Sequence, residues 1–90
     1  MFGPTDAAMT LTIYSRPGCH LCEEMKAVVE RVARRTDAAV QEIDISGTPE
    51  LEQRYGVDIP VLLVDGRKAA KHRIGEEELL RILEGRTTGG

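Results

Sequence analysis

Two cysteines, Cys19 and Cys22, stand where a β-prone run gives way to a helical one, and this junction constrains the chain more than any other feature. Leu11 and Ile13 alternate with Thr12 and Tyr14 as in a short strand, which Ser15-Arg16-Pro17-Gly18 then stops. Further on, Leu21, Met25, Val28, Val29 and Val32 recur at spacings of three and four, the apolar face of a helix that starts at or beside Cys22. A Cys-x-x-Cys at such a junction puts the first sulfur beyond the helix end and the second inside the first turn, within bridging reach. Free amides and the positive end of the helix dipole favour an anionic sulfur there. Cys19 is therefore expected to be partly thiolate at neutral pH and to act as the nucleophile, with Cys22 as the resolving thiol.

The rest of the chain supplies a small α/β domain around this pair. Val40, Ile43 and Ile45, interleaved with Glu42 and Asp44, predict a second strand that Ser46-Gly47 ends. Thr48 as N-cap, Pro49 in the first helical position, Glu50 in the first turn and Gly56 after Tyr55 predict a short helix. The unbroken apolar run Val61-Leu62-Leu63-Val64 reads as a strand buried on both faces. Asp65-Gly66 reads as a hairpin turn, with a return strand from about Lys68 to Ile74. Glu76, Glu77 and Glu78 load the first turn of a last helix whose apolar side is Leu79, Leu80, Ile82 and Leu83, and Gly85 is its expected stop. The order is β-α-β-α-β-β-α, in one domain over residues 11–85 between flexible tails at 1–10 and 86–90.

Composition narrows the function further. A 90-residue chain with a formal net charge of -3 carries no basic footprint for nucleic acid. No apolar run approaches the ~20 residues that cross a bilayer, and the N-terminus lacks a secretory pattern, so a cytoplasmic protein is expected; a monomer is the expected state. Two cysteines so close in sequence serve chemistry rather than stapling. They also supply half of a zinc tetrahedron, but His20 and His72 are the only histidines and there is no second Cys pair, so no protein metal site is expected. A metal or iron–sulfur binding module using the same pair is the alternative to redox chemistry.

Around the pair, Gly18 leaves room for a substrate backbone beside the sulfur, and Arg16 adds positive potential or binds a substrate carboxylate. His20 is either a charged neighbour of Cys19 or an exposed residue of the first turn. Glu23 and Lys26 read as a solvated helix face, or as proton relays near Cys22. The first strand offers no acidic residue as a buried base, which leaves the proton acceptor for Cys22 open. Proline belongs at the first position of a buried strand, which suits Pro60 before Val61.

From Leu11 to Gly85 the chain resembles the glutaredoxin-like branch of the thioredoxin superfamily. Arg16-Pro17-Gly18-Cys19-His20-Leu21-Cys22 sits where glutaredoxins place a basic residue, a turn and the redox pair, and Ile59-Pro60 matches their cis-proline strand. Cys-His-Leu-Cys, Tyr55-Gly56 and Ile59-Pro60-Val61-Leu62 with Asp65-Gly66 are similar in particular to small glutaredoxin-like proteins. The resemblance implies a thioredoxin-like fold, a four-stranded mixed sheet flanked by three helices, with a cis Ile59-Pro60 bond beside Cys19. It implies a thiol-disulfide oxidoreductase acting on a disulfide-containing protein or small thiol substrate, without a tightly bound cofactor. Glutathione is the implied thiol co-substrate, and electrons would come from glutathione or a thioredoxin-reductase-type donor. Where glutaredoxins carry Gly-Gly with a nearby Asp at the glutathione site, this chain departs with Arg73-Ile74-Gly75-Glu76: one glycine, Gly75, remains and an acidic residue follows it, which argues against the usual glutathione site, while Arg73 reads as a partner for a carboxylate or as an exposed strand residue.

Overall fold

The computed structural model describes residues 9–89, with side chains described for residues 9–84. Most of the expected N-terminal tail, residues 1–8, and the last residue, Gly90, lie outside the described residues. Strand β1 (Thr10–Ser15) leads to helix α1 (His20–Thr36), strand β2 (Ala39–Asp44), a 3-10 turn (Ile45–Gly47) and helix α2 (Pro49–Tyr55). Strands β3 (Val61–Val64) and β4 (Arg67–Lys71) and helix α3 (Glu76–Gly89) complete the fold. The sheet order is β2-β1-β3-β4, with β1 parallel to β2 and the other pairs antiparallel.

Leu11 and Ile13 of β1 pair with Val64 and Leu62 of β3, and these four join Met25, Val29 and Val32 of α1 and Leu79 and Leu83 of α3 in one buried cluster. The period of two in β1 meets the period of 3.6 in α1, so one sheet face is sealed by α1 and α3. α2 is fixed to β1 through Tyr14 and Tyr55, whose rings stack with centroids 4.5 Å apart. β3 is buried at all four positions, as its unbroken apolar run requires, whereas β2 is an edge strand and Val40 remains 37% exposed.

Several boundaries differ from the sequence expectation. α1 begins at His20 rather than beside Cys22, because Cys19 itself serves as the N-cap. Ile45 is buried but lies in the 3-10 turn rather than in β2, since the Asp44 carboxylate accepts from the Ser46 N–H and turns the chain. β4 ends at Lys71, not Ile74: His72 adopts φ 70° and donates its N–H to the Pro60 carbonyl. α3 continues past the expected helix stop at Gly85, to Gly89. A glycine inside a helix costs only about 1 kcal/mol relative to alanine, and no proline follows to end it.

Pairing sets where the loops meet. Ser15 pairs with Asp44, Tyr14 with Val61, and Val61 with Lys71, so the carboxyl ends of β1, β2 and β4 and the amino end of β3 share one end of the sheet. The Cys19 turn, the Ile59-Pro60 segment and the Arg73-Gly75 loop all leave the sheet there.

Candidate active site at the amino end of helix α1

Cys19 and Cys22 form a disulfide, with Cα atoms 5.2 Å apart. The geometry follows from the cap. Cys19 has extended backbone (φ -91°, ψ 112°), its carbonyl accepts the Glu23 N–H at 3.2 Å, and its Sγ accepts the Cys22 N–H at 3.1 Å. A sulfur thus occupies the position that a Ser or Asp oxygen holds at other helix starts. The two sulfurs differ in access: Cys19 is half-buried, whereas Cys22 is 3% exposed.

The other expected site residues are placed as follows. Gly18 has φ 78°, a left-handed conformation that lets the chain turn from β1 into the cap, and the space beside it is open. The Ile59–Pro60 peptide bond is cis, Ile59 is half-buried and Pro60 is buried. His20 projects into solvent, 87% exposed, and its Nε2 pairs with Glu24 at 3.0 Å one turn along the helix. Arg16 does not stand free for a substrate: its Nη2 donates to Glu52 Oε1 of α2 at 3.4 Å, and its Nε is buried with no partner in the protein. The partner lies 36 positions away in sequence. Arg73 is exposed in the loop after β4, not in a strand. With Gly75 it lines a cleft of 360 Å³ bounded also by His72, Glu24 and Glu78. That cleft is mixed in charge, with two carboxylates facing one arginine.

The segment before β3 is held from β4. His72 donates its N–H to the Pro60 carbonyl at 2.8 Å, its Nε2 lies 3.4 Å from the Val57 carbonyl, and Lys71 Nζ is 3.5 Å from Asp58. Val57, 91% exposed, sits at the tip of this segment.

Sequence reasoning missed a polar group on the Cys22 side. A second cleft of 260 Å³ is lined by Cys22, Ser15, Arg16, Pro17, Glu23, Glu42 and Asp44. The Ser15 hydroxyl donates to Glu42 Oε2 at 3.0 Å, and Lys26 Nζ pairs with Glu42 Oε1 at 3.1 Å. The hydrogen bond and charge of Glu42 raise the Lys26 pKa above its ordinary value. Asp44 is held below the usual carboxylate range by the Ser46 hydroxyl and N–H, with Arg16 adding to the effect. The alternation of Glu42 and Asp44 along β2 was the available sequence signal, but it acquires meaning only once β2 is laid beside β1. Among the described residues, no group of three or more His, Cys, Asp or Glu side chains is placed to hold a metal ion.

A four-stranded mixed sheet with flanking helices and a disulfide at the start of the first helix defines a protein of the thioredoxin-like fold. Residues 10–84 match the family model of the glutaredoxin-like domain (DUF836), and the chain belongs to that family. It is 30% identical over 83 residues to a glutaredoxin-like protein of Dictyostelium discoideum, covering 86% of this chain and 77% of that one. The crystal structure of an X. campestris protein, 32% identical, superposes with a TM-score of 0.68 over 83% of this chain and 96% of its own. The germline-specific thioredoxin Deadhead of Drosophila melanogaster, 29% identical, superposes with a TM-score of 0.58, covering 88% and 81% of the two chains.

Proposed function

We infer that the protein is a thiol-disulfide oxidoreductase that cycles the Cys19-Cys22 pair between dithiol and disulfide. The observation that carries this reading is the asymmetry of the pair, a half-exposed sulfur capping a helix and a buried sulfur one turn inside it. In the reduced protein the N–H groups at the start of α1 favour the Cys19 thiolate. That thiolate attacks a substrate disulfide, forming a Cys19–substrate bond and releasing one substrate thiolate. Cys22 then attacks Cys19, expels the second substrate thiolate and closes the internal disulfide. Membership of a glutaredoxin-like family and likeness to a thioredoxin support the same chemistry.

Substrate contacts are assigned to the end of the sheet that carries the pair. Ile59 and Pro60 offer the backbone edge for a bound chain, Gly18 leaves space beside Cys19, and His20, next to Cys19 in sequence, presents its ring to solvent and to an arriving substrate. Arg16, tied to Glu52, contributes positive potential rather than a direct carboxylate contact. Glutathione is assigned as thiol co-substrate through Arg73 and Gly75, with a reductase-type donor as the competing electron source. A metal or iron–sulfur module on the same cysteines is the outcome that the test must separate.

Cysteine replacement tests the roles. Cys19→Ser is expected to abolish disulfide reduction, while Cys22→Ser leaves a mixed disulfide at Cys19 that intact mass detects. An adduct that forms at Cys22 instead, or equal alkylation rates for both thiols at neutral pH, contradicts the assignment.

A further inference from the structure

The redox reading leaves the proton of Cys22 unaccounted for. Cys22 is 3% exposed, so its thiol reaches solvent poorly, yet its residue forms one wall of the polar 260 Å³ cleft described above. For Cys22 to attack the Cys19 mixed disulfide, that thiol must lose its proton within this cleft.

We propose that Glu42 accepts the Cys22 proton across this cleft during resolution of the mixed disulfide. Glu42 lies opposite Ile13 in the parallel β1–β2 pair and reaches across to Ser15, two residues further along β1, on the sheet face that α1 covers. Its two oxygens are oriented by different elements, Oε2 by the Ser15 hydroxyl and Oε1 by Lys26. Lys26 is four residues after Cys22 in α1, so both project from one side of the helix and the Lys26 contact draws Glu42 toward the cysteine. The proton moves through water in the cleft, which is large enough and polar enough to hold it.

The other charged groups around the cleft suit the role less well. Asp44 accepts the Ser46 N–H at 2.9 Å and hydroxyl at 2.6 Å on one oxygen, contacts that hold its carboxyl below the usual carboxylate range and weaken it as a base. Glu23 follows Cys22 directly in α1, and neighbouring residues of a helix do not face each other. Arg16 and Lys26 are cations and carry no basic lone pair at neutral pH. Their charge instead favours the thiolate as it forms.

In the step itself, the Cys22 sulfur gives its proton through water to the Glu42 carboxylate as it bonds to the Cys19 sulfur. The bond between Cys19 and the substrate sulfur breaks, and its electron pair leaves on the substrate thiolate. The disulfide electrons are conserved, and Glu42 returns its proton to solvent. This rests on the redox reading, but assigns it a residue that no cysteine experiment reveals.

The test mixes reduced protein rapidly with one equivalent of a symmetric aromatic disulfide whose thiolate product is coloured. The first release reports attack by Cys19 and the second reports resolution by Cys22. For Glu42→Gln, the first phase should match wild type. The second should slow by about tenfold or more near neutral pH, and the gap to wild type should close as the pH rises and the thiol ionises without a base. Glu42→Asp should recover part of the loss. A second phase with wild-type rate and pH profile in Glu42→Gln overturns the proposal. Equal slowing of both phases at every pH also overturns it, because it marks a structural role. Wild-type protein that forms no mixed disulfide refutes the redox reading itself, and is seen before any Glu42 variant is used.

Discussion

Gly18 adopts φ 78°, and a Cβ built there meets nothing within 4 Å, so its requirement is one of backbone conformation rather than space. Gly18→Ala is expected to cost about 1–2 kcal/mol, and Gly18→Asn less, because Asn visits the left-handed region more readily. Urea unfolding of the two variants checks the order; an alanine variant as stable as wild type contradicts it. Asp44 gives a pH-dependent counterpart. Its carboxyl is held below the ordinary value of 3.8 by the Ser46 hydroxyl and N–H, so it stabilises the fold above that value and loses this contribution as pH falls through the depressed folded value. The stability gap between wild type and Asp44→Asn should therefore hold from about pH 7 to about pH 5 and shrink below about pH 4. Urea midpoints across that range measure it, and a gap unchanged in acid counts against the assignment. At this scale the cysteines were legible because their spacing and helix start are local. The pairing of Arg16 with Glu52 was not, because it joins residues 36 positions apart.

The helices are held by apolar faces more than by their surface charges. Leu79 is fully buried in the cluster shared by α1, α3 and the sheet, whereas Arg31 and Glu76 join α1 to α3 through an exposed pair at 3.0 Å. Leu79→Ala should cost about 2–5 kcal/mol of stability, against no more than about 1 kcal/mol for Arg31→Ala. Comparable losses in denaturant unfolding would contradict this division. The elements that the sequence announced clearly were those with a strong period or cap: β1, α1, the Thr48-Pro49 start of α2 and the buried run of β3. Two strand ends were misread. β4 stops where His72 bonds to Pro60, and Ile45 leaves β2 because Asp44 caps the following turn. The first contact joins residues 12 positions apart, and the second is a two-residue turn masked by the β-prone residues around it.

For the molecule as a whole, the sheet order β2-β1-β3-β4 gathers the Cys19 turn, the cis Ile59–Pro60 segment and the Arg73 loop at one end. The order of elements and the resemblance of their motifs anticipated this arrangement. The Ser15–Glu42–Lys26 group could not be anticipated in the same way, because strand register and helix docking must both be known before those side chains meet. The site therefore has two halves, an accessible sulfur at the helix cap and a buried sulfur backed by a polar cleft. This division of labour requires the pair to exchange electrons reversibly within the folded protein. Its most direct test is to equilibrate metal-free protein in a series of glutathione redox buffers, quench with an alkylating reagent and weigh the intact products. A single reversible change from two alkylated thiols to none is expected, with the dithiol-to-disulfide ratio shifting tenfold for about 30 mV, as for a two-electron couple. Thiols that remain reduced at every potential, or that escape alkylation only after metal is added, would contradict it.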